Sequence, residues 1–200
     1  MNTDLKNYLD QLLTLELDPA RKEALEPLIN YLRKRNEAQL NFICTHNSRR
    51  SQMAQVWAQV AADYHHYNLT SYSGGIEVTA CNERTVAALE RAGLKTLGAE
   101  GDVNPLYKLS YSEDKASIAL SSKLFDDSIN PSSDFAAVMT CSHAEENCPF
   151  VAGADQRIAL TYEDPKAFDD SPEEVQAYDL RCAQIAREMF YVFKTVQNGN

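Results

Sequence analysis

Phe42-Ile43-Cys44-Thr45-His46-Asn47-Ser48-Arg49-Arg50-Ser51 is the stretch on which the reading of this chain turns. The apolar run Leu40 to Ile43 predicts a buried strand that ends on a cysteine, and a helical pattern (Met53, Val56, Trp57, Val60) begins directly after Ser51. Strand, tight loop and helix form the geometry in which successive backbone N–H groups turn inward and cradle an anion at a helix N-terminus. A cysteine at the mouth of such a cradle feels the positive end of the helix and a nearby guanidinium, both of which favour the thiolate. Arg50 is placed to hold two oxygens of a tetrahedral oxyanion with its planar fork while Cys44 attacks the central atom. Taken alone, a cysteine that ends a buried strand is equally an inert small hydrophobe.

The rest of the composition bounds the setting. Two hundred residues fit one α/β domain with additions. A net charge of −10 argues against nucleic acid or an anionic membrane as partner, so an anionic substrate needs a local positive pocket. The start Met1-Asn2-Thr3-Asp4 lacks a basic leader, and no apolar run reaches membrane length. Five cysteines, Cys44, Cys81, Cys141, Cys148 and Cys182, are an odd number without a secretory signal. Together these predict a cytoplasmic protein in which a disulfide is transient and catalytic.

Residues 2–37 read as two helices. Leu5, Tyr8, Leu9 and Leu12 make the first apolar stripe, and Asp18-Pro19 opens a second that carries Leu25, Leu28, Ile29 and Leu32. The stripes need cover, from the domain or from a second subunit in a homo-oligomer. Beyond the cradle helix (51–64), Thr70 to Ser73 predicts a strand ending at Gly74-Gly75, and Asn82 caps a helix that stops at Gly93. Residues 94–131 carry strand-like pieces at 106–111 and 117–120 and are too long for a plain connection. Phe135 to Thr140 is a second buried strand that ends on a cysteine, Cys141, and Arg157 to Leu160 is a short last strand before Glu163-Asp164-Pro165. Ser171 with Glu174 predicts a capping box for a long final helix, with Cys182 on its core face. The alternation implies a parallel sheet flanked by helices on both sides, with a site beyond the carboxyl ends of the strands, where Cys44, Cys141 and Asp164 all fall.

Three segments carry a resemblance. Cys44 to Ala54 is similar to the phosphate loop of low-molecular-weight protein tyrosine phosphatases and of the thioredoxin-coupled arsenate reductases that share their fold. Ser73-Gly74-Gly75-Ile76-Glu77 with Asn82 resembles the segment after the second strand in that family. Cys141-Ser142-His143-Ala144-Glu145-Glu146-Asn147-Cys148-Pro149 resembles the redox segment that separates the reductases from the phosphatases, and Glu163-Asp164-Pro165 the loop that bears the general acid. The similarity covers residues 39–197, which implies a domain over 39–200 preceded by an N-terminal helical extension over 1–38. Some positions depart from the family pattern. His46 stands where a glycine is usual, and Arg49 where a cysteine is common. Gln55 replaces an acidic residue that helps hold potassium in some reductases, so no metal is expected. Lys166-Ala167 follows Asp164-Pro165 where the phosphatases tend to carry tyrosines.

The resemblance implies roles. Cys44 is the nucleophile, Arg50 and the backbone of Thr45, His46, Asn47, Ser48 and Arg49 bind the oxyanion, and Ser51 donates to the thiolate. Asp164 protonates the departing oxygen, and Arg49 either joins the cradle or is simply solvated. In the reductases Cys141 attacks the Cys44–arsenic adduct, Cys148 attacks Cys141, and a thioredoxin-like reductant clears the resulting disulfide. Within a helix, Cys141 and Cys148 would lie on one face with Cα atoms roughly 10.5 Å apart. A disulfide tolerates about 7 Å at most, so the segment must unwind, and the polar run Ser142 to Asn147 suits that. His143 with these cysteines fits no usual zinc spacing. Two other readings stay open: a phosphatase acting on a phosphate monoester through Cys44, Arg50 and Asp164 alone, and a non-catalytic oxyanion-binding or redox-sensing module.

Overall fold

The computed structural model of the protein describes residues 1–148 and 150–199, so Pro149, quoted above in the redox segment, lies outside the described residues. In chain order the elements are α1 (Thr3–Leu12), α2 (Pro19–Arg33), β1 (Glu37–Cys44), α3 (Arg50–Tyr64), β2 (Asn68–Gly75) and α4 (Glu83–Arg91). Then come β3 (Lys95–Glu100), β4 (Leu106–Ser110), β5 (Ile118–Leu120), β6 (Phe135–Met139), α5 (Ser142–Asn147), β7 (Ala154–Ala159) and α6 (Glu174–Gln197). A 3-10 turn at Pro165–Phe168 precedes α6. No helix among the described residues is long and apolar enough to cross a membrane.

The caps explain where the helices begin. Asn2 accepts from the Leu5 N–H, Asp18 from Ala20 and Asn82 from Arg84, each satisfying a first-turn donor that the helix cannot. Just past the C-cap residue Ala92 of α4, the chain turns at Gly93, whose φ of +99° suits glycine. The capping box expected before α6 takes another form. Ser171 donates to the Phe168 carbonyl, while Glu174 accepts from the Asp170 N–H at 2.6 Å and pairs with Arg84 at 2.8 Å. The cationic partner on α4 draws the glutamate away from Ser171.

The main sheet has the order β2-β1-β6-β7 with every pair parallel. Side chains alternate across it. Leu40 and Phe42 of β1 and Ala136 and Val138 of β6 join the large core with α1, α2, α3, α4 and α6. Ile43, Phe135, Ala137 and Met139 face the other way, into a small cluster covered by α5 and the loops around it. The helices therefore flank both faces, unequally. A second sheet, β3-β4-β5, is antiparallel and lies within residues 94–131. Its first strand escapes a reading of the sequence because Lys95–Glu100 is mostly exposed, bulged between Thr96 and Gly98, and shows no alternation.

The N-terminal stripes find their cover within the chain. Leu5, Leu25, Leu28, Ile29 and Leu32 belong to the same core as α3 and α6. A Cβ on Gly93 would sit 2.5 Å from the Leu5 nitrogen, so the end of α4 and the start of α1 are packed backbone to backbone. Arg21 of α2 forks onto both oxygens of Glu188 on α6 at 2.8 and 2.9 Å, and also donates to the Thr161 carbonyl at 3.2 Å. The Glu188 side chain is wholly buried. Removing one partner of such a pair strands the other charge, whereas replacing both with apolar groups is often neutral. Arg21→Ala is expected to lower stability in urea unfolding by about 3–5 kcal/mol, and Arg21→Met with Glu188→Leu to recover most of it.

Candidate active site

Cys44 ends β1 at the carboxyl edge of the sheet and is buried. Its sulfur lies 3.0 Å from Ser51 Oγ and accepts from the Asn47 N–H at 3.2 Å. Asn47 has φ +48°, the left-handed region that asparagine tolerates, and this turns the loop. The Asn47 amide orientation follows from its partners. Its Oδ1 faces the Lys123 N–H at 3.1 Å, and a backbone N–H can only donate. The Nδ2 therefore donates to Ser51 Oγ at 2.9 Å, which leaves the Ser51 hydroxyl proton free to reach the Cys44 sulfur.

The loop is clamped from outside. Gln52, wholly buried, donates to the Asn47 carbonyl at 2.8 Å and to that of Ser121 at 2.9 Å. Ser122 Oγ donates to the His46 carbonyl at 2.8 Å, and Ser48 Oγ to that of Ala80 at 2.7 Å. A Cβ on Gly75 would stand 2.8 Å from the Asn47 nitrogen and 2.9 Å from the His46 carbonyl carbon, so β2 must offer a glycine there. By contrast, among the described residues nothing accepts from the N–H groups of Ser48, Arg49, Arg50 and Ser51. These are donors at the start of α3, where its dipole favours negative charge.

Arg50 donates to the Tyr162 carbonyl at 2.9 Å and to Asp164 Oδ2 at 2.7 Å. Its Nε is buried and meets no partner among the described residues, a donor that an oxyanion would satisfy. The other oxygen of Asp164 caps the 3-10 turn through the Lys166 N–H at 3.1 Å. Arg49, expected in the cradle or in solvent, does neither with its side chain. It donates to Tyr178 Oη at 2.7 Å and pairs with Asp169 at 3.2 Å, a network that ties the loop to α6. His46 sits at the rim, 3.4 Å from Glu77.

Cys141 is the N-cap residue of α5, and its sulfur accepts from the Ala144 N–H at 3.3 Å. It also lies 3.5 Å from Thr45 Oγ1, directly beyond Cys44 on the loop. Cys148 is the C-cap residue of the same helix. Cys44, Cys141 and Cys148 share the small apolar cluster on this face of the sheet, and all are free thiols. Burial pushes the Cys148 thiol up, with Arg157 opposing. Burial holds Cys81 and Cys182 at about 12, which makes them structural thiols.

In sequence the chain is similar to known arsenate reductases. That of Staphylococcus aureus (strain Newman) is 30% identical over 125 residues, covering 62% of this chain and 76% of the relative. The chain belongs to the family of these arsenate reductases. The arsenate reductase of Bacillus cereus (strain AH187) is 27% identical over 130 residues, or 65% of this chain and 78% of that one. No family model matches the chain.

Among solved structures, an arsenate reductase in the phosphate-binding state gives a TM-score of 0.51 at 15% identity, over 80% of this chain and 99% of the other. A low-molecular-weight phosphotyrosine phosphatase from Vibrio cholerae O395 gives 0.52 at 12%, over 78% and 93%. An arginine phosphatase from Geobacillus stearothermophilus gives 0.54 at 12%, over 81% and 94%. At these identities the likeness is one of fold.

Two parts of this family member's site go unread in the sequence. Gln52 is wholly buried among the polar residues Ser51 and Gln55 of the same helix start, and nothing local in the sequence marks it as a clamp. Arg157 is no better marked. From β7 it donates to Glu145 Oε1 at 2.8 Å, to the Glu145 carbonyl and to the Cys148 carbonyl at 3.0 Å, binding the end of α5 to the sheet. The clamp on the loop yields a measurable consequence. Gly75→Ala is expected to weaken phosphate protection of Cys44 against iodoacetamide about tenfold or more, the effect of roughly 1.4 kcal/mol of lost anion affinity. Protection equal to wild type would show that the loop does not need that close approach.

Proposed function

We propose that the protein reduces arsenate to arsenite through Cys44, Cys141 and Cys148. The observation that carries this reading is the second cysteine at the edge of the anion-receptive loop, with its sulfur in contact with the residue next to Cys44. The loop N–H groups and Arg50 hold the oxyanion while the Cys44 thiolate attacks arsenic. Asp164 gives a proton to the departing oxygen, for which it must release Arg50 to the substrate. The Cys141 thiolate then attacks the Cys44 sulfur. The S–S bond forms as the S–As bond breaks, and its electron pair reduces arsenic(V) to arsenic(III).

Cys148 attacks Cys141 next and frees Cys44 as a thiolate. α5 stands in the way, because its six residues hold the two cysteines at opposite ends of about 9 Å of helix. A disulfide needs the Cα atoms within about 7 Å, so the helix must open first. Only Ala144 of α5 is buried, so opening forfeits little apolar contact and works mainly against the Arg157 bonds. Opening also relieves the burial that pushes the Cys148 thiol up. The new disulfide then passes its oxidation to a thioredoxin-like dithiol by exchange.

A phosphatase reading rests on the Arg50–Asp164 pair, which sits over the loop without any need for Cys141 or Cys148. One set of assays separates the two. Wild type, Cys141→Ser and Cys148→Ser are compared for arsenate-dependent NADPH oxidation with thioredoxin and its reductase, and for p-nitrophenyl phosphate hydrolysis. Both variants are expected to lose sustained arsenate turnover by on the order of a hundredfold or more, the scale of removing a covalent step, while keeping any hydrolysis. Arsenate reduction that survives both changes, or is absent in wild type, would leave the phosphatase.

A further inference from the structure

Resting on the reductase reading, we propose that His143 is the proton acceptor for Cys141, acting through the hydroxyl of Thr45. Three atoms lie in sequence. Cys141 Sγ is 3.5 Å from Thr45 Oγ1, which is 3.2 Å from His143 Nδ1. Exposure rises along the same path: Cys141 is 1% exposed, Thr45 half-buried and His143 exposed. A thiol so enclosed cannot hand its proton straight to water, yet it must lose that proton before it can attack Cys44.

The chemistry of the three groups fits a relay. With His143 carrying its proton on Nε2, the thiol donates to Thr45 Oγ1 and the Thr45 hydroxyl donates to Nδ1. The Cys141 proton moves to Oγ1 as the Thr45 proton moves to Nδ1, so one proton crosses the chain and no electrons change hands. The products are a Cys141 thiolate, which keeps the Ala144 N–H bond, and an imidazolium that holds the proton and stabilises the thiolate through Thr45. In the product state every bond runs in reverse, and no member of the chain is left without a partner.

Other titratable and charged groups on the neighbouring elements are Cys44 on β1, His46 and Glu77 at the rim, Glu145, Glu146 and Cys148 on and after α5, Arg157 on β7, and Asp126 near Cys148. Arg157 is taken by Glu145, and His46 faces Glu77. Among the described residues, Thr45 Oγ1 meets only Cys141 and His143.

The test is the pH profile of Cys141 alkylation by iodoacetamide, resolved by peptide mass spectrometry, in wild type, His143→Asn, Thr45→Val and Thr45→Ser. Asparagine keeps an acceptor for the Thr45 hydroxyl but cannot take its proton. Access to a buried thiol alters the plateau rate, whereas a lost proton acceptor moves the midpoint. His143→Asn and Thr45→Val are each expected to raise the midpoint by about one unit and slow alkylation about tenfold at pH 7, with Thr45→Ser matching wild type. A His143→Asn midpoint that coincides with wild type, whatever the plateau, would overturn the relay. Shifted midpoints in a protein without arsenate turnover would support the relay and sink the reductase reading, whereas turnover with unmoved midpoints would sink the relay alone.

Discussion

An anion-receptive turn has to leave its own N–H groups unengaged, and the rest of this structure depends on that constraint. A loop that cannot hold itself by internal backbone bonds must be held by its surroundings. Here Asn47 carries the sharp bend, and its amide is fixed between Lys123 and Ser51. Gln52 reaches back to the loop and across to Ser121, while Ser48, Ser122 and Arg49 anchor it outward. The polar side chains of the loop thus face away from the anion. What they leave pointing inward is backbone, together with Cys44, Ser51 and part of Arg50.

Much of this is legible in the residues. The strand ending at Cys44, the helix after it, the caps at Asp18 and Asn82, and the parallel sheet all follow from apolar periodicity and capping chemistry. Arg50 and Asp164 are each readable as candidates, and the fold brings them to 2.7 Å. The outer strand at Lys95–Glu100 is not readable, because an exposed bulged edge lacks the alternation that burial imposes. Arg49 misleads for a related reason: a charge beside the cradle looks like a ligand until Tyr178 and Asp169, far along the chain, are seen to claim it. Long-range partners of a single side chain leave no local periodic trace.

In the proposed reductase cycle the segment from Cys141 to Cys148 balances two needs. While α5 is folded, Cys141 sits at its start beside the loop, and Cys148 is buried at its end, where burial pushes its thiol up. A helix with more apolar anchors would hold that arrangement better but would keep the two sulfurs apart. α5 anchors itself through Ala144 and through the guanidinium of Arg157. Polar bonds of this kind can be exchanged for water as the segment opens, whereas a buried leucine could not be.

Arg21 has a wider reach than its ion pair. Besides Glu188 it touches the Thr161 carbonyl, and its guanidinium lies 5.0 Å over the ring of Tyr162, the residue whose own carbonyl receives Arg50. Only a few atoms therefore separate the first pair of helices from the cationic wall of the candidate anion site. Those helices act as a strut beneath the wall, and wear on the strut would register where the substrate sits.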